Sequence, residues 1–102
     1  MLEFRKYNHK AGIYKWENKI NHKCYIGQSI DLGSRLRHHV YNINNKRYDN
    51  PLYRAVHKYG IENFDISILE IVEHSETTRS DLDVLEVLYI EEYNSYGKTG
   101  YN

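Results

Sequence analysis

An arginine and a histidine are the first pair of side chains here that could do chemistry. Arg35 and His39 lie four residues apart in a segment with helical periodicity, so both would project from one face of a helix. A guanidinium can hold a phosphate through two hydrogen bonds, and an imidazole can bind phosphate or relay a proton near neutral pH. The alternatives are a surface ion pair for Arg35 and an ordinary boundary histidine for His39.

An acid and two tyrosines add to this candidate set. Glu86 borders the apolar stripe of a later predicted helix, where a carboxylate is either paired or reaching into a cleft. Periodicity alone favours a third interpretation, a glutamate whose carboxylate extends from the stripe edge into solvent. Tyr14 and Tyr25 lie in two short segments with strand character. Tyrosine is common in strands, so without further information both are best interpreted as core residues.

A β-hairpin would position the two tyrosines. Strand-like segments at residues 11–16 and 23–28 flank a polar stretch with two asparagines, which suits a loop of about five to seven residues. Gly12 and Gly27 mark strand ends where a crowded backbone is plausible.

Two helices follow the hairpin. Asp31 suits the N-cap of a helix from about Leu32 to Ile43, whose apolar positions recur at helical spacing. After an asparagine-rich loop, Asn50 and Pro51 predict the start of a second helix, which Gly60 would end.

The remaining elements are a third strand and a third helix. Residues 64–72 alternate and then turn apolar, which predicts a strand with at least one buried face. Ser80 is the expected cap of a helix over residues 81–93, with Leu88 and Ile90 widening its apolar stripe. The fold class predicted is α/β mixed (α+β): a small three-stranded antiparallel sheet flanked by helices, in the order ββααβα.

Length and composition bound the remaining possibilities. A chain of 102 residues with 40% hydrophobic residues is expected to be one domain, residues 1–102, with residues 1–10 a loosely held, flexible basic arm. The single cysteine, Cys24, rules out a disulfide framework and a cysteine-based zinc site, and it fits an intracellular location. No apolar run reaches the length of a membrane span, so no membrane partner is expected.

Charge is distributed unevenly along the chain. Net charge is zero, but residues 1–60 hold 12 Lys and Arg against 4 Asp and Glu, whereas residues 61–102 hold 2 against 10. Such asymmetry can produce one basic face on a neutral protein, or merely two solvated surfaces that differ in sign.

These motifs together resemble the GIY-YIG nuclease family. Its signature matches Gly12-Ile13-Tyr14 and Tyr25-Ile26-Gly27, and its Arg and His four apart match Arg35 and His39. The stretch from His57 to Gly60, with Asn63-Phe64 and Leu69-Glu70, is similar to the phage and intron homing endonucleases of the family. Some homing members carry an additional histidine between the two helices, and Arg47-Tyr48-Asp49 has none.

The resemblance implies roles for individual residues. The family's metal ligand falls on Glu86, which would hold Mg²⁺ or another divalent cation such as Mn²⁺, and its late asparagine falls on Asn102. Tyr14 would orient or deprotonate the attacking water, Arg35 would stabilise charge on phosphate, and Tyr25 and His39 would position water and phosphate. Asn102 would hold Glu86, or one edge of the phosphate, in position. The expected contacts to the DNA backbone, besides Arg35, are Arg37, Lys46, Arg47, Arg54 and Lys58.

The implied function is that of a metal-dependent DNA endonuclease with a homing-type catalytic domain. Such an enzyme is expected to use a separate C-terminal DNA-binding domain, which this chain lacks, so we expect part of a longer enzyme or a domain with weak DNA affinity. The alternatives are a repair or restriction nuclease of the same family, a non-catalytic nucleic-acid-binding module and a protein-interaction domain.

Overall fold

Three antiparallel strands form the centre of the computed structural model, which describes residues 2–102. Strand β1 (Ala11–Asn18) pairs with β2 (Cys24–Ser29) on one side and β3 (Phe64–Val72) on the other, which gives the order β2-β1-β3. The helices are α1 (Leu32–Asn44), α2 (Pro51–Tyr59) and α3 (Thr78–Glu92), with short 3₁₀ turns at Phe4–Tyr7, Ile61–Asn63 and Gly97–Thr99. The predicted fold class and element order are confirmed.

Helices cover both faces of the sheet. On one face, α1 and α2 enclose a core built around Tyr14 and Trp16 of β1. On the other, α3 packs against a smaller core that contains Ile13 and Ile26. Each face of β1 therefore has its own apolar layer, as strand alternation requires. Within residues 2–102, no helix combines the length and apolarity that a membrane span needs.

The caps of α1 and α2 are those the sequence predicts. An Asp31 side-chain oxygen accepts from the backbone N–H of Ser34 at 3.1 Å, and Asn50 accepts from that of Tyr53 at 2.9 Å. Gly60 ends α2 with φ of 90°, a backbone conformation that glycine adopts without strain.

Helix α3 begins three residues earlier than predicted, and the expected Ser80 cap is wrong. The buried hydroxyl of Thr78 bonds to the backbone of Glu73 and Ser75, and this anchors the first turn before Ser80 is reached. Leu88 was expected to widen the apolar stripe but is 55% exposed, whereas the partly buried Ile90 packs against the smaller core.

The expected loose arm over residues 1–10 is instead docked on α1. Met1 lies outside the described residues, but Phe4 packs against the main core. The Asn8 side chain accepts from Arg37 at 2.7 Å, and the backbone N–H of Leu32 donates to the Lys10 carbonyl at 2.8 Å. The packing of Phe4 and the backbone hydrogen bond of Lys10 hold this segment against α1. The polar composition of residues 1–10 predicts neither contact.

Candidate active site

Tyr14 and Tyr25 come from neighbouring antiparallel strands and share a face. Tyr14 lies opposite Gly27 and Trp16 lies opposite Tyr25, and directly paired residues project to the same side of a sheet. The two phenol rings are 6.3 Å apart between centroids. Tyr14 is only 1% exposed, so it forms the floor of the site.

The two motif glycines make room for this arrangement. A Cβ at Gly27 would overlap the end of the Tyr14 ring and its hydroxyl, so glycine is needed for Tyr14 to lie across β2. A Cβ at Gly12 would overlap the Glu70 carbonyl of β3 and press on Leu32 of α1. A glycine is therefore required in each of the two motif tripeptides because a larger side chain would not fit at either position.

His39 connects the site floor to α2. Its Nε2 lies 2.6 Å from the Tyr14 hydroxyl, and its Nδ1 lies 2.6 Å from the Tyr53 hydroxyl. The Asn42 amide donates to the same Tyr53 oxygen at 3.3 Å. His39 is 3% exposed, so it is a buried member of a hydrogen-bonded chain rather than a boundary histidine.

Tyr53 is the site residue that sequence reasoning missed. It lies among the apolar positions of α2, a pattern that by itself indicates only core packing. A buried tyrosine hydroxyl usually finds a hydrogen-bond partner, and that rule was the available signal. A one-dimensional pattern could not identify His39 as the partner.

Arg35 stands at the mouth of the same site. Its exposed side chain lines a cavity of about 140 Å³ together with Tyr25, His39 and Tyr53. A neighbouring cavity of about 350 Å³ is also lined by Arg35, with His38, Asn42, Tyr48, Asn50 and Tyr53. The guanidinium therefore lies where an anion entering from solvent would meet it.

Burial sets the protonation of the site. It raises the pKa of Tyr14 well above the ordinary phenol range, although the Arg35 cation acts in the opposite direction. Burial, and then the positive charge of Arg35, lower the pKa of His39 to about 3. Near neutral pH, Tyr14 is a phenol and His39 is a neutral imidazole.

Glu86 approaches the site from the other side of the sheet. Gln28 lies opposite Ile13 of the smaller core, and it donates to Asp83 of α3 at 2.8 Å. Desolvation raises the pKa of the half-buried Glu86, and a hydrogen bond from Gln28 opposes this. The carboxylate also raises the pKa of Tyr25, after the larger effect of burial. Glu86 therefore belongs to the α3 layer, on the face of the sheet opposite the Tyr14 layer, and its charge acts on Tyr25 of edge strand β2.

Asn102 is engaged with the backbone of edge strand β2. Its side-chain amide accepts from the N–H of Ile26 and donates to the carbonyl of Ile26, both at 2.8 Å. The Ser95 hydroxyl also donates to the Asn102 side-chain oxygen at 2.7 Å. The amide therefore supports the strand that carries Tyr25 and Gly27, and its expected role at Glu86 or the phosphate stays a prediction.

The basic residues expected to contact DNA are in different settings. Arg37 turns towards the N-terminal segment through Asn8, and exposed Arg54 forms an ion pair with Asp49 at 3.1 Å. The Arg47 guanidinium lies 5.8 Å from the ring centroid of Tyr48, which borders the larger cavity. The remaining two, Lys46 and Lys58, are exposed.

Comparison with known proteins agrees with this geometry. Residues 10–102 match the family described as GIY-YIG catalytic domain. The chain is 34% identical over 83% of its length to "Probable intron-encoded endonuclease 1" of Neurospora crassa, and 33% identical over 91% to "Intron-associated endonuclease 1" of Enterobacteria phage T4. It spans 28% and 36% of the length of these relatives.

A solved structure has the same architecture. The catalytic domain of homing endonuclease I-TevI is 30% identical to this chain, with a TM-score of 0.78 over 91% of this chain and 97% of that domain. The family match covers nearly the whole chain, and the fold and the sequence identities agree with it. The chain belongs to the GIY-YIG family of catalytic domains.

Proposed function

We propose that this chain is the catalytic domain of a homing-type endonuclease that hydrolyses DNA phosphodiester bonds inside the cell. The observation that carries the proposal is the meeting of Tyr14, Tyr25, Arg35 and His39 in one cleft, in a chain of this family. The T4 and Neurospora relatives are named as endonucleases, which supports the reaction class.

Arg35 binds the reacting phosphate. Its guanidinium lines the cavity and is permanently charged, and a bidentate pair with phosphate oxygens would place it against the charge that builds up during attack. Removing one such donor typically costs about 10² to 10³ in rate.

Tyr14 and Tyr25 position the attacking water. Burial keeps the Tyr14 hydroxyl protonated in the free domain, so it orients water through hydrogen bonds instead of acting as a phenolate. Tyr25 lines the same cavity as Arg35, and the charges of Arg35 and Glu86 act on its pKa in opposite directions. Its phenol therefore faces the side of the site where the phosphate would bind.

Glu86 fits the requirement of a Mg²⁺ ion. Magnesium commonly uses one or two carboxylates and completes its shell with water and phosphate oxygens. No cluster of three His, Cys, Asp or Glu side chains occurs among residues 2–102, which suits such an open site and not an all-protein cage. Glu86 is a half-desolvated carboxylate with Asp83 nearby, so a cation there would offset the desolvation of its charge. When bound, the ion supplies Lewis-acid stabilisation of phosphate and leaving oxygen.

The DNA backbone would lie along the basic part of the chain. The Arg47 guanidinium lies near the ring of Tyr48, which lines the cavity beside Arg35, and Lys46 precedes Arg47 in the same loop. Arg54 and Lys58 lie on α2. Such contacts provide affinity but little sequence information, so a separate DNA-binding domain, as the length of the relatives allows, would provide the target choice.

A plasmid assay tests the proposal. We expect the wild-type chain to nick or cut supercoiled DNA when Mg²⁺ is present and to stop when it is chelated. Arg35→Ala should reduce the rate at least about 100-fold. Arg79→Ala changes an exposed arginine in the first turn of α3 and serves as the matched control. Salt-dependent DNA binding without any cleavage would overturn the proposal in favour of a non-catalytic module.

A further inference from the structure

A chain of four buried side chains connects the floor of the site to a cavity. The hydroxyl of Tyr14, both ring nitrogens of His39, the hydroxyl of Tyr53 and the amide of Asn42 follow one another at 2.6, 2.6 and 3.3 Å. None of the four is more than 4% exposed. Tyr53 lines both the cavity of about 140 Å³ and the one of about 350 Å³ beside Arg35. Since a water occupies roughly 30 Å³, both cavities have room for water.

The surroundings of His39 restrict how it can carry a proton. Its ring is enclosed by Tyr14, Trp16, Tyr25 and Tyr53 at centroid distances of 5.5 to 6.1 Å, and Arg35 adds a positive charge nearby. An imidazolium in this place is unfavourable. His39 can therefore take a proton at one nitrogen only if it releases one from the other.

We propose that Tyr53 is a positioning residue that lets His39 pass a proton from Tyr14 to water in the cavity beside Arg35. The proposal deepens the proposed nuclease function and rests on it. The hydroxyl of Tyr53 is within hydrogen-bond distance of His39 Nδ1, so it is the described partner to which that nitrogen can give a proton.

Each transfer in the chain breaks one bond to hydrogen and makes another. The attacking water gives a proton to the Tyr14 oxygen while the Tyr14 proton moves to His39 Nε2. The Nδ1 proton of His39 moves to the Tyr53 oxygen, and the Tyr53 proton passes to water in the cavity. The hydroxide left at the site forms the new bond to phosphorus, and the leaving oxygen departs with the electron pair of the broken P–O bond. His39 is neutral at the beginning and at the end.

Asn42 keeps the Tyr53 hydroxyl in place throughout. Before transfer, the Tyr53 oxygen accepts from both His39 and Asn42 and directs its own proton to the cavity. After transfer, it donates to His39 and still accepts from Asn42. The same contact serves both states, so no side chain has to change rotamer during the transfer.

Tyr53→Phe tests the proposal kinetically, because it removes one hydroxyl and keeps the ring that packs in the core. We expect cleavage at saturating DNA to fall at least about 100-fold, with DNA affinity unchanged. The solvent deuterium isotope effect on the wild-type cleavage rate should show that several protons move in the rate-limiting step. In Tyr53→Phe, the isotope effect should no longer indicate several protons. Tyr59→Phe changes a tyrosine of the same helix whose hydroxyl forms no hydrogen bond within residues 2–102, and it should cleave like wild type. Cleavage by Tyr53→Phe within about threefold of wild type would overturn the proposal.

Nitrogen-15 NMR of the His39 ring gives a test that does not depend on activity. In wild type, both nitrogens should show hydrogen-bonded shifts, and the Nδ1 shift should change in Tyr53→Phe but not in Tyr59→Phe. Identical His39 spectra in wild type and Tyr53→Phe would contradict the contact on which the relay depends. A wild-type chain that cuts no DNA would instead contradict the nuclease function, whatever the spectra show.

Discussion

The phenol of Tyr14 lies across Gly27, its direct partner on the neighbouring strand. A methyl group at Gly27 would overlap the ring and its hydroxyl, and the hydroxyl is 2.6 Å from His39 Nε2. Gly27, in the second motif tripeptide, therefore sets the position of Tyr14, the candidate catalytic residue of the first.

Gly27→Ala should displace Tyr14 and slow cleavage more than it weakens DNA binding. The added methyl group overpacks the site, so we expect the free energy of unfolding to fall by about 1–3 kcal/mol. Cleavage rates and urea unfolding check this. In a Tyr14→Ala background both the ring and the hydroxyl are gone, and the stability effect of Gly27→Ala should shrink. Equal effects in both backgrounds would show that the two residues do not interact.

The burial of His39 predicts a specific loss of stability in acid. Its pKa is about 3 in the folded protein against 6.5 for the ordinary group, so the unfolded chain binds a proton first as pH falls. The contribution is fully present above about pH 6.5 and is lost between there and about pH 3. At pH 4 the loss is about 3 kcal/mol.

Urea unfolding at pH 7 and pH 4 of wild type and His39→Gln measures this term. Between pH 7 and pH 4, the free energy of unfolding of His39→Gln should fall less than that of wild type because the variant has no buried imidazole. The same pH dependence in both proteins would exclude a neutral, buried His39.

Asn102→Ala should destabilise edge strand β2. It removes three side-chain hydrogen bonds and leaves groups of Ile26 without partners, which predicts a loss of about 3 kcal/mol. Asn45→Ala, an exposed asparagine with one side-chain bond to Tyr41, is the control and should change stability by less than about 1 kcal/mol. If Asn102→Ala unfolds at the same urea concentration as wild type, Asn102 is not the support of this strand.

DNA binding should depend steeply on salt and on Arg47. If Arg47 contacts one phosphate, Arg47→Ala should lower the slope of log affinity against log salt by about one and weaken binding to all sequences alike. Lys98→Ala, in the acidic part of the chain, is the control. Affinity that is equal at low and moderate salt would exclude phosphate contacts as its source.

Local signals explain which parts of the fold were predictable. Asp31, Asn50-Pro51 and Gly60 act on backbone within a few residues, so the ends of α1 and α2 follow from the sequence. The predicted start of α3 was wrong because the Thr78 hydroxyl donates to the Glu73 carbonyl and anchors the first turn. Helical periodicity carries no information about this hydrogen bond.

The candidate site depends more on distant contacts. Tyr14, Tyr25, Arg35 and His39 could be named from their motif and spacing. The hydrogen-bond partners of Tyr53 and Asn102 could not be predicted in this way. His39 lies 14 residues from Tyr53 along the chain, and Ile26 lies 76 residues from Asn102. Glu86 could be named only as the match to the family's metal ligand, and its approach to Tyr14, Tyr25 and Arg35, close enough for one cation to bridge it and a phosphate, stays a prediction.

The Mg²⁺-dependent cleavage of plasmid DNA by Glu86→Gln tests the central claim most directly. Glutamine keeps the size of the side chain but removes the charge that would hold the ion, so the variant should fold, bind DNA and lose cleavage by at least about 100-fold. Glu91→Gln, an exposed position of the same helix, should cut like wild type. A Glu86→Gln protein that cuts DNA at near the wild-type rate in Mg²⁺ would contradict the assignment of Glu86 as the metal ligand.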